Sequence, residues 1–325
     1  MEKQRKKIFA GRVAAGVFVL IVIVVILSFS SMSQLEHQAL LNAGLAVIGK
    51  FSAQASPPTA HPSNRTKPPP AFRLLIGILS VPQKYERRNL LRLVYGLQTP
   101  KIARIDVKFV FCNLTNEEHR AFIALEIKRY DDIIILNCTE NMNSGKTYTY
   151  FSSLPDLFGS PPGTRPPPYD YVMKVDDDTF VRLAGLEETL KDAAREDLYY
   201  GFLAPCDNVD TLKPGYMSGM GYVLSWDLGE WIRSSSYAQN HKVGHEDLLV
   251  GDWFRAGKVA KNRYNNKPSM YDFPGAMGPE HTCSHDFIPG TVAVHRVKSN
   301  RDWMLVLSYF NYTKDVKPSS LYHIP

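Results

Sequence analysis

From Arg73 to Val175 the chain alternates short apolar, β-branched runs with longer amphipathic ones, and the last apolar run ends on three aspartates: Tyr169-Asp-Tyr-Val-Met-Lys-Val-Asp-Asp-Asp-Thr-Phe180. Arg73–Ser80, Asp106–Phe111, Asp132–Leu136 and Tyr171–Val175 read as buried strands. Helices are expected around Glu86–Tyr95, Asn116–Arg129, Lys146–Leu157 and Leu183–Ala194. Such alternation predicts an α/β fold with a mostly parallel sheet covered by helices on both faces. Open sheets of that kind bind ligands beyond the carboxyl ends of their strands, which is where Asp176, Asp177 and Asp178 would stand. Three clustered carboxylates repel one another, and a divalent cation relieves the repulsion while holding phosphate oxygens. The plainer reading is an acidic loop capping the helix that follows.

The N-terminus bears on the compartment. Lys3, Arg5, Lys6, Lys7 and Arg12 precede an apolar run from Val13 to Leu27 that trails to Met32. With Ile8–Gly11 in front, it is long enough for one span of roughly 20 residues. The positive-inside bias puts residues 1–12 in the cytosol and the bulk of the chain across the membrane. A cleaved signal peptide is the competing reading, but the run is long and no clean small-x-small site closely follows it. Residues 13–32 are therefore expected to be a signal anchor and residues 33–71, rich in Ser, Pro, Ala and Thr, a disordered stem. Residues 72–325 suffice for one large domain. The tail accounts for +4 of the net charge of +6, which leaves no electrostatic footprint for nucleic acid.

Cys112, Cys138, Cys206 and Cys283 form an even set with three possible pairings. Cys112 and Cys138 each end an expected strand and could be neighbours; buried free thiols are equally open. The acceptor triplets at Asn64, Asn113, Asn137 and Asn311 agree with a secretory-pathway location.

Two nucleotide motifs fail on spacing. Gly145-Lys-Thr147 lacks the earlier glycine of a P-loop, since Glu140 stands there. Gly219-Met-Gly221 lacks the third glycine of a dinucleotide fingerprint, where Leu224 stands. Other features hold. Tyr216–Ser225 sets two glycines in a strand-like run, as at a close approach or a packed bulge. Glu246 and Asp247 open an apolar helix, a position that favours acids in any protein. His295 ends a strand over Thr291–Arg296, and only partnership with the aspartates would raise it above a structural histidine.

Together these residues resemble the β1,3-galactosyltransferase-like glycosyltransferases (family 31), which have a GT-A fold. Lys174-Val-Asp-Asp-Asp-Thr-Phe180 is similar to the K-x-D-D-D-x-F signature and Gly219–Ser225 to G-x-G-Y-x-L-S. Glu246–Gly251 is similar to E-D-V-x-x-G, Arg87-Arg88 through Arg92 to R-R-x-x-x-R-x-T-W, and Val294-His-Arg296 to the late strand carrying a histidine. Asn143–Thr147 resembles N-L-T-x-K-T but is one residue shorter, and Val94-Tyr95 replaces the T-W pair.

The resemblance implies a GT-A type nucleotide-sugar-binding sheet behind a Golgi single-pass type II anchor. It implies an inverting hexosyltransferase that moves a hexose, galactose or N-acetylhexosamine, from a UDP-sugar to a glycan or glycoprotein acceptor in β1,3 linkage, with Mn2+ as cofactor. Asp178 and His295 are then the metal ligands, and Asp176 and Asp177 face the nucleotide side. Arg88, Arg92 and Lys146 are candidates for donor contacts. Asp247, with Glu246 as runner-up, is the general base that takes the acceptor proton. Tyr216, Tyr222 and Trp253 are aromatic candidates for sugar stacking, with a core role favoured for the last two. The alternatives are a catalytically silent lumenal carbohydrate- or UDP-binding protein on the same fold, or a nucleotide-sugar hydrolase.

Overall fold

The computed structural model describes residues 69–159, 166–206, 215–276 and 283–315. The expected tail, membrane span and nearly all of the stem lie outside the described residues. Among those described, no helix is long and apolar enough to cross a membrane.

The expected strands form, with small shifts of their ends. β1 (Phe72–Leu79), β2 (Ala103–Phe111), β3 (Ile133–Ile135) and β4 (Tyr171–Asp176) are mutually parallel neighbours in the order β3-β2-β1-β4. They are linked by α1 (Tyr85–Gly96), α2 (Glu117–Tyr130) and α3 (Lys146–Phe158). After β5 (Phe180–Val181) and α4 (Leu183–Leu190), β6 (Leu198–Ala204) and β7 (Tyr216–Ser225) extend the sheet beyond β4, and β8 (Asn262–Asn265) closes it. β7 is antiparallel to both β4 and β6, so the sheet is mixed on this side. β6 and β7 are consecutive along the chain, and a short connection between such neighbours suits an antiparallel pair. α4 stops at Leu190 rather than running to Ala194. There the Tyr171 hydroxyl donates to Ala193 O at 2.8 Å and Arg195 donates to Leu190 O at 3.2 Å, so tertiary partners replace the next helical turn.

Side chains alternate across β1 as strand geometry requires. Leu74, Ile76 and Ile78 enter one apolar cluster with Leu91 and Val94 of α1 and Ile123 of α2. Leu75 and Leu79 enter the other, with Tyr150, Phe151 and Leu154 of α3. Burial on both faces explains why these strands are continuous apolar runs in sequence. The second cluster also takes Trp226, Leu228 and Ile232 of α5 (Trp226–Ser234), Ala238 of α6 (Ser236–Asn240), and Val250, Trp253 and Phe254 of α7 (Glu246–Gly257).

A second, three-stranded sheet in the order β5-β10-β9 joins β9 (Met270–Asp272) and β10 (Ala293–His295), and α8 (Asn300–Tyr309) follows. The cysteines pair Cys112–Cys138 and Cys206–Cys283. The first bridge fastens the carboxyl ends of β2 and β3, with a Cα–Cα distance of 4.9 Å.

Gly77 lies on the α3 face of β1, where an added Cβ would run into the Tyr150 ring, whose hydroxyl donates to Met173 O at 3.1 Å. Gly77→Val is expected to destabilise the domain by about 1–3 kcal/mol, because Tyr150 must leave its place under the sheet. Urea denaturation of the variant and parent checks this.

Candidate active site

The site is built where β4 runs out. Asp176 ends the strand, the chain turns with Thr179 N–H donating to Asp176 O at 3.2 Å, and Phe180 and Val181 then pair antiparallel with β10. That pairing carries His295 to the aspartates. Val297 N–H donates to Asp178 O at 2.8 Å and fastens the loop after β10 to the aspartate turn. His295 Nε2 lies 3.5 Å from Asp178 Oδ1 and 3.9 Å from Asp176 Oδ2. One ligand atom from each of Asp176, Asp178 and His295 falls within 4.8 Å of the others. Two carboxylates and an imidazole suit a divalent cation such as Mn2+, and the three converge from separate segments on one point, so the residues present fit that ion.

Asp272 was not legible in the sequence. It sits on β9 in register with His295, is 4% exposed, and accepts from His295 Nδ1 at 2.7 Å and from Arg296 Nε at 3.1 Å. A carboxylate behind the imidazole fixes its orientation and leaves Nε2 facing the aspartates. Burial works against a charged His295, but hydrogen bonds to Asp178 and Asp272 outweigh it and push the imidazole up to about 9.

Asp177 takes a different place from its neighbours. It is nearly buried, accepting from Ser80 Oγ at 2.7 Å and from Lys84 Nζ at 2.8 Å, and so braces the turn against the β1–α1 loop. Lys146 opens α3, is 1% exposed, and donates to Ser80 O at 2.6 Å and to Glu140. Burial, only partly offset by Glu140, lowers its proton affinity. It lines a recess of about 340 Å³ together with Asp176, Asp177, Asp178 and Glu140. A larger cleft of about 1030 Å³ adjoins Asp177 and Asp178, and Lys84, Arg87 and Lys298 line it.

On the opposite side of Asp176 stands a second group of carboxylates. Lys174, fully buried on β4, places Nζ 2.6 Å from Glu246 Oε1, 2.9 Å from Asp176 Oδ1 and 3.4 Å from Asp247 Oδ1. Its burial disfavours charge, yet the three carboxylates more than reverse this and hold it protonated. Glu246 also accepts from Thr147 Oγ1 at 2.7 Å. Despite its burial, Lys174 and these hydrogen bonds pull Glu246 down to about 2. Asp247 goes the other way: burial, with the Glu246 and Asp176 carboxylates beside it, raises it well above the usual carboxylate range against the pull of Lys174. Gly219 of β7 makes the room. A Cβ there would lie 2.6 Å from Asp247 Oδ2 and 3.0 Å from Asp176 Oδ2.

Arg88 and Arg92 do not join this group. Arg88 is fully buried; Nε and Nη2 grip Glu126 at 2.9 and 2.7 Å, while Nη1 and Nη2 bind Val81 O and Pro82 O at 2.8 Å. Arg92 is bidentate to Asp132 at 2.7 and 3.0 Å and also meets Glu126 at 2.7 Å. Their donors are spent tying α1 to α2 and β3. The neighbouring Arg87 lines the cleft, donating to Val297 O at 3.0 Å and Lys298 O at 2.6 Å. Tyr222 and Trp253 are core side chains, whereas Tyr216 is half-buried.

Two outcomes follow from this geometry. Arg88→Ala leaves two carbonyls without their donor and Glu126 with Arg92 alone, and should cost about 1–3 kcal/mol in chemical denaturation; a pure loss of donor affinity at unchanged stability would contradict the placement. For His295, whose folded pKa lies above its unfolded value of about 6.5, the stabilisation is full below that value and is lost as pH rises through about 9. Metal-free protein should therefore lose up to about 3 kcal/mol between pH 6.5 and 9, and Asp272→Asn should lose less. Urea melts in EDTA across that range measure both.

Comparison with known proteins places the chain among glycosyltransferase-like sequences. Residues 86–213 match the family model described as Galactosyltransferase. The chain is 27% identical over 288 residues to β-1,3-galactosyltransferase pvg3 of Schizosaccharomyces pombe, covering 74% of each. It is also 27% identical to β-1,3-galactosyltransferase 6 of Mus musculus, covering 64% of this chain and 67% of that one. A third relative, hydroxyproline O-galactosyltransferase GALT2 of Arabidopsis thaliana, is 27% identical over 65% of this chain and 35% of its own length. That family domain and those relatives support a β1,3-galactosyltransferase-like glycosyltransferase.

Proposed function

We propose that this chain is an inverting, cation-dependent hexosyltransferase of GT-A type that moves galactose or an N-acetylhexosamine from a UDP-sugar to a glycan hydroxyl in β1,3 linkage. The observation that carries the reading is that the Asp176–Asp178–His295 cluster and Asp247 meet at the end of β4, with Asp176 and Asp247 both lying against the space a Cβ on Gly219 would fill. Asp178 and His295 would hold the cation, Mn2+ by donor type, which when bound supplies the positive charge a departing diphosphate requires. Asp272 keeps the His295 ring turned toward it. Lys84, Arg87 and Lys298 give the larger cleft cationic walls, and its volume suits a nucleotide sugar.

Inversion by direct displacement needs a base on the face away from the leaving diphosphate. Asp247 is that base, because burial beside Glu246 and Asp176 raises its affinity for the acceptor's proton. Glu246 is bound to Lys174 and Thr147 and stays ionised, so it serves as the fixed counter-ion rather than the base.

The paired cysteines, the basic tail before the apolar run and the acceptor triplets support a lumenal domain. We assign residues 1–12 to a cytosolic tail, 13–32 to a single type II Golgi anchor, 33–71 to a stem and 72–325 to the catalytic domain acting on glycoprotein glycans.

The test is UDP release from UDP-galactose, UDP-N-acetylglucosamine and UDP-glucose, with a panel of glycan acceptors, in Mn2+ or EDTA. Release is expected only with acceptor and metal, and should fall by about 10²–10⁴-fold in Asp247→Asn, with a comparable loss in Asp178→Ala. Release that ignores the acceptor would mark a nucleotide-sugar hydrolase instead. Tight UDP binding without turnover would mark a catalytically silent binder.

A further inference from the structure

Two acceptor triplets that lie apart in sequence, Asn113-Leu-Thr115 and Asn137-Cys-Thr139, are side by side in the fold. Asn113 follows Cys112 off the end of β2, and Asn137 precedes Cys138 off the end of β3. The disulfide between those cysteines holds their Cα atoms 4.9 Å apart, and the ladder from Phe109↔Ile133 to Phe111↔Ile135 fixes the register just before it. The carboxamides touch, Asn113 Nδ2 donating to Asn137 Oδ1 at 3.0 Å. Both asparagines are exposed, as are Thr115 and Thr139, so each triplet meets the requirement for surface access.

We infer that Asn113 and Asn137 form one composite N-glycosylation site, which carries a single oligosaccharide on one asparagine or the other and never on both. The inference rests on the lumenal location proposed above. In the modification an asparagine Nδ2 attacks the anomeric carbon of an oligosaccharide carried on a polyprenyl diphosphate. An N–C bond forms, the sugar C–O bond to diphosphate breaks, the lipid diphosphate leaves and one amide proton is released, with no change of oxidation state. The oxygen and nitrogen of one carboxamide are about 2 Å apart, so the two Nδ2 atoms lie within about 5 Å. A sugar on each would set two bulky rings over room for one. The bridge and the ladder hold the two main chains together, so both side chains rise from one small patch of surface. A chain modified at both positions before folding could not close the β2–β3 edge.

Synthesis order favours Asn113. It precedes Asn137 by 24 residues, a lead of about 1–5 s at ordinary elongation rates. Once it is modified, the second triplet folds beneath the attached oligosaccharide.

The experiment uses the full chain with a C-terminal tag bearing its own acceptor triplet, made in a eukaryotic secretory cell and digested without reduction. The disulfide-linked peptide pair is weighed before and after enzymatic deglycosylation in heavy-oxygen water, which marks the modified asparagine. One oligosaccharide per linked pair is expected, mainly on Asn113. In Asn113→Gln it should move to Asn137, and in Asn137→Gln it should stay on Asn113. Linked pairs carrying two oligosaccharides would overturn the inference, as would a bare pair in a chain whose tag is modified. A bare pair with a bare tag would overturn the lumenal location and the composite site with it.

Discussion

One buried ammonium holds the two halves of the site in register. Lys174 rises from β4 into the sheet interior and is reached by carboxylates from its own strand and from α7: Asp176, Glu246 and Asp247. A lysine so placed is favourable only when paired, and removing one partner leaves charge stranded in a medium that solvates it poorly. The same contacts fix how far α7 stands from the end of β4, and hence how far Asp247 stands from the Asp176–Asp178–His295 cluster. Asp247's proton affinity depends on them as well, since burial and the neighbouring Glu246 and Asp176 carboxylates raise it against the pull of Lys174.

The second sheet solves a different problem, bringing a histidine far along the chain to within reach of Asp178. Two short pairings do it, β5 with β10 and β10 with β9. The parallel register that sets His295 opposite Asp272 also sets the imidazole's outlook, so the backbone ladder and the ring's hydrogen bond agree on one orientation. Consistency of this kind across levels distinguishes a built site from a chance cluster.

The parallel half of the main sheet was legible because burial on both faces leaves an unmistakable trace: Leu74–Ile78 and Tyr171–Val175 read as apolar runs that nothing but a doubly covered strand explains. The aspartates were legible for the complementary reason, that charge at the end of such a run must face an edge. What stayed hidden depended on distance along the chain. Asp272 lies in a short strand with no pattern of its own, and only the fold reveals that it faces His295. The partners of Arg88 and Arg92 stayed hidden because the local sequence of α1 cannot show Glu126 on α2 or Asp132 just before β3. Lys174 was visible as a letter in a motif, but its role as the hub of three ion pairs was not.

The absent side chain at Gly219 has a consequence for how such an enzyme diversifies. The space between Asp247 and Asp176 is bounded by main chain and by charged groups already committed to one another, so no ordinary substitution at Gly219 can reshape it by degrees. On the proposed function, a change of sugar or acceptor falls more readily to side chains outside that group of charges, such as Tyr216 and Met142, which take part in no ion pair.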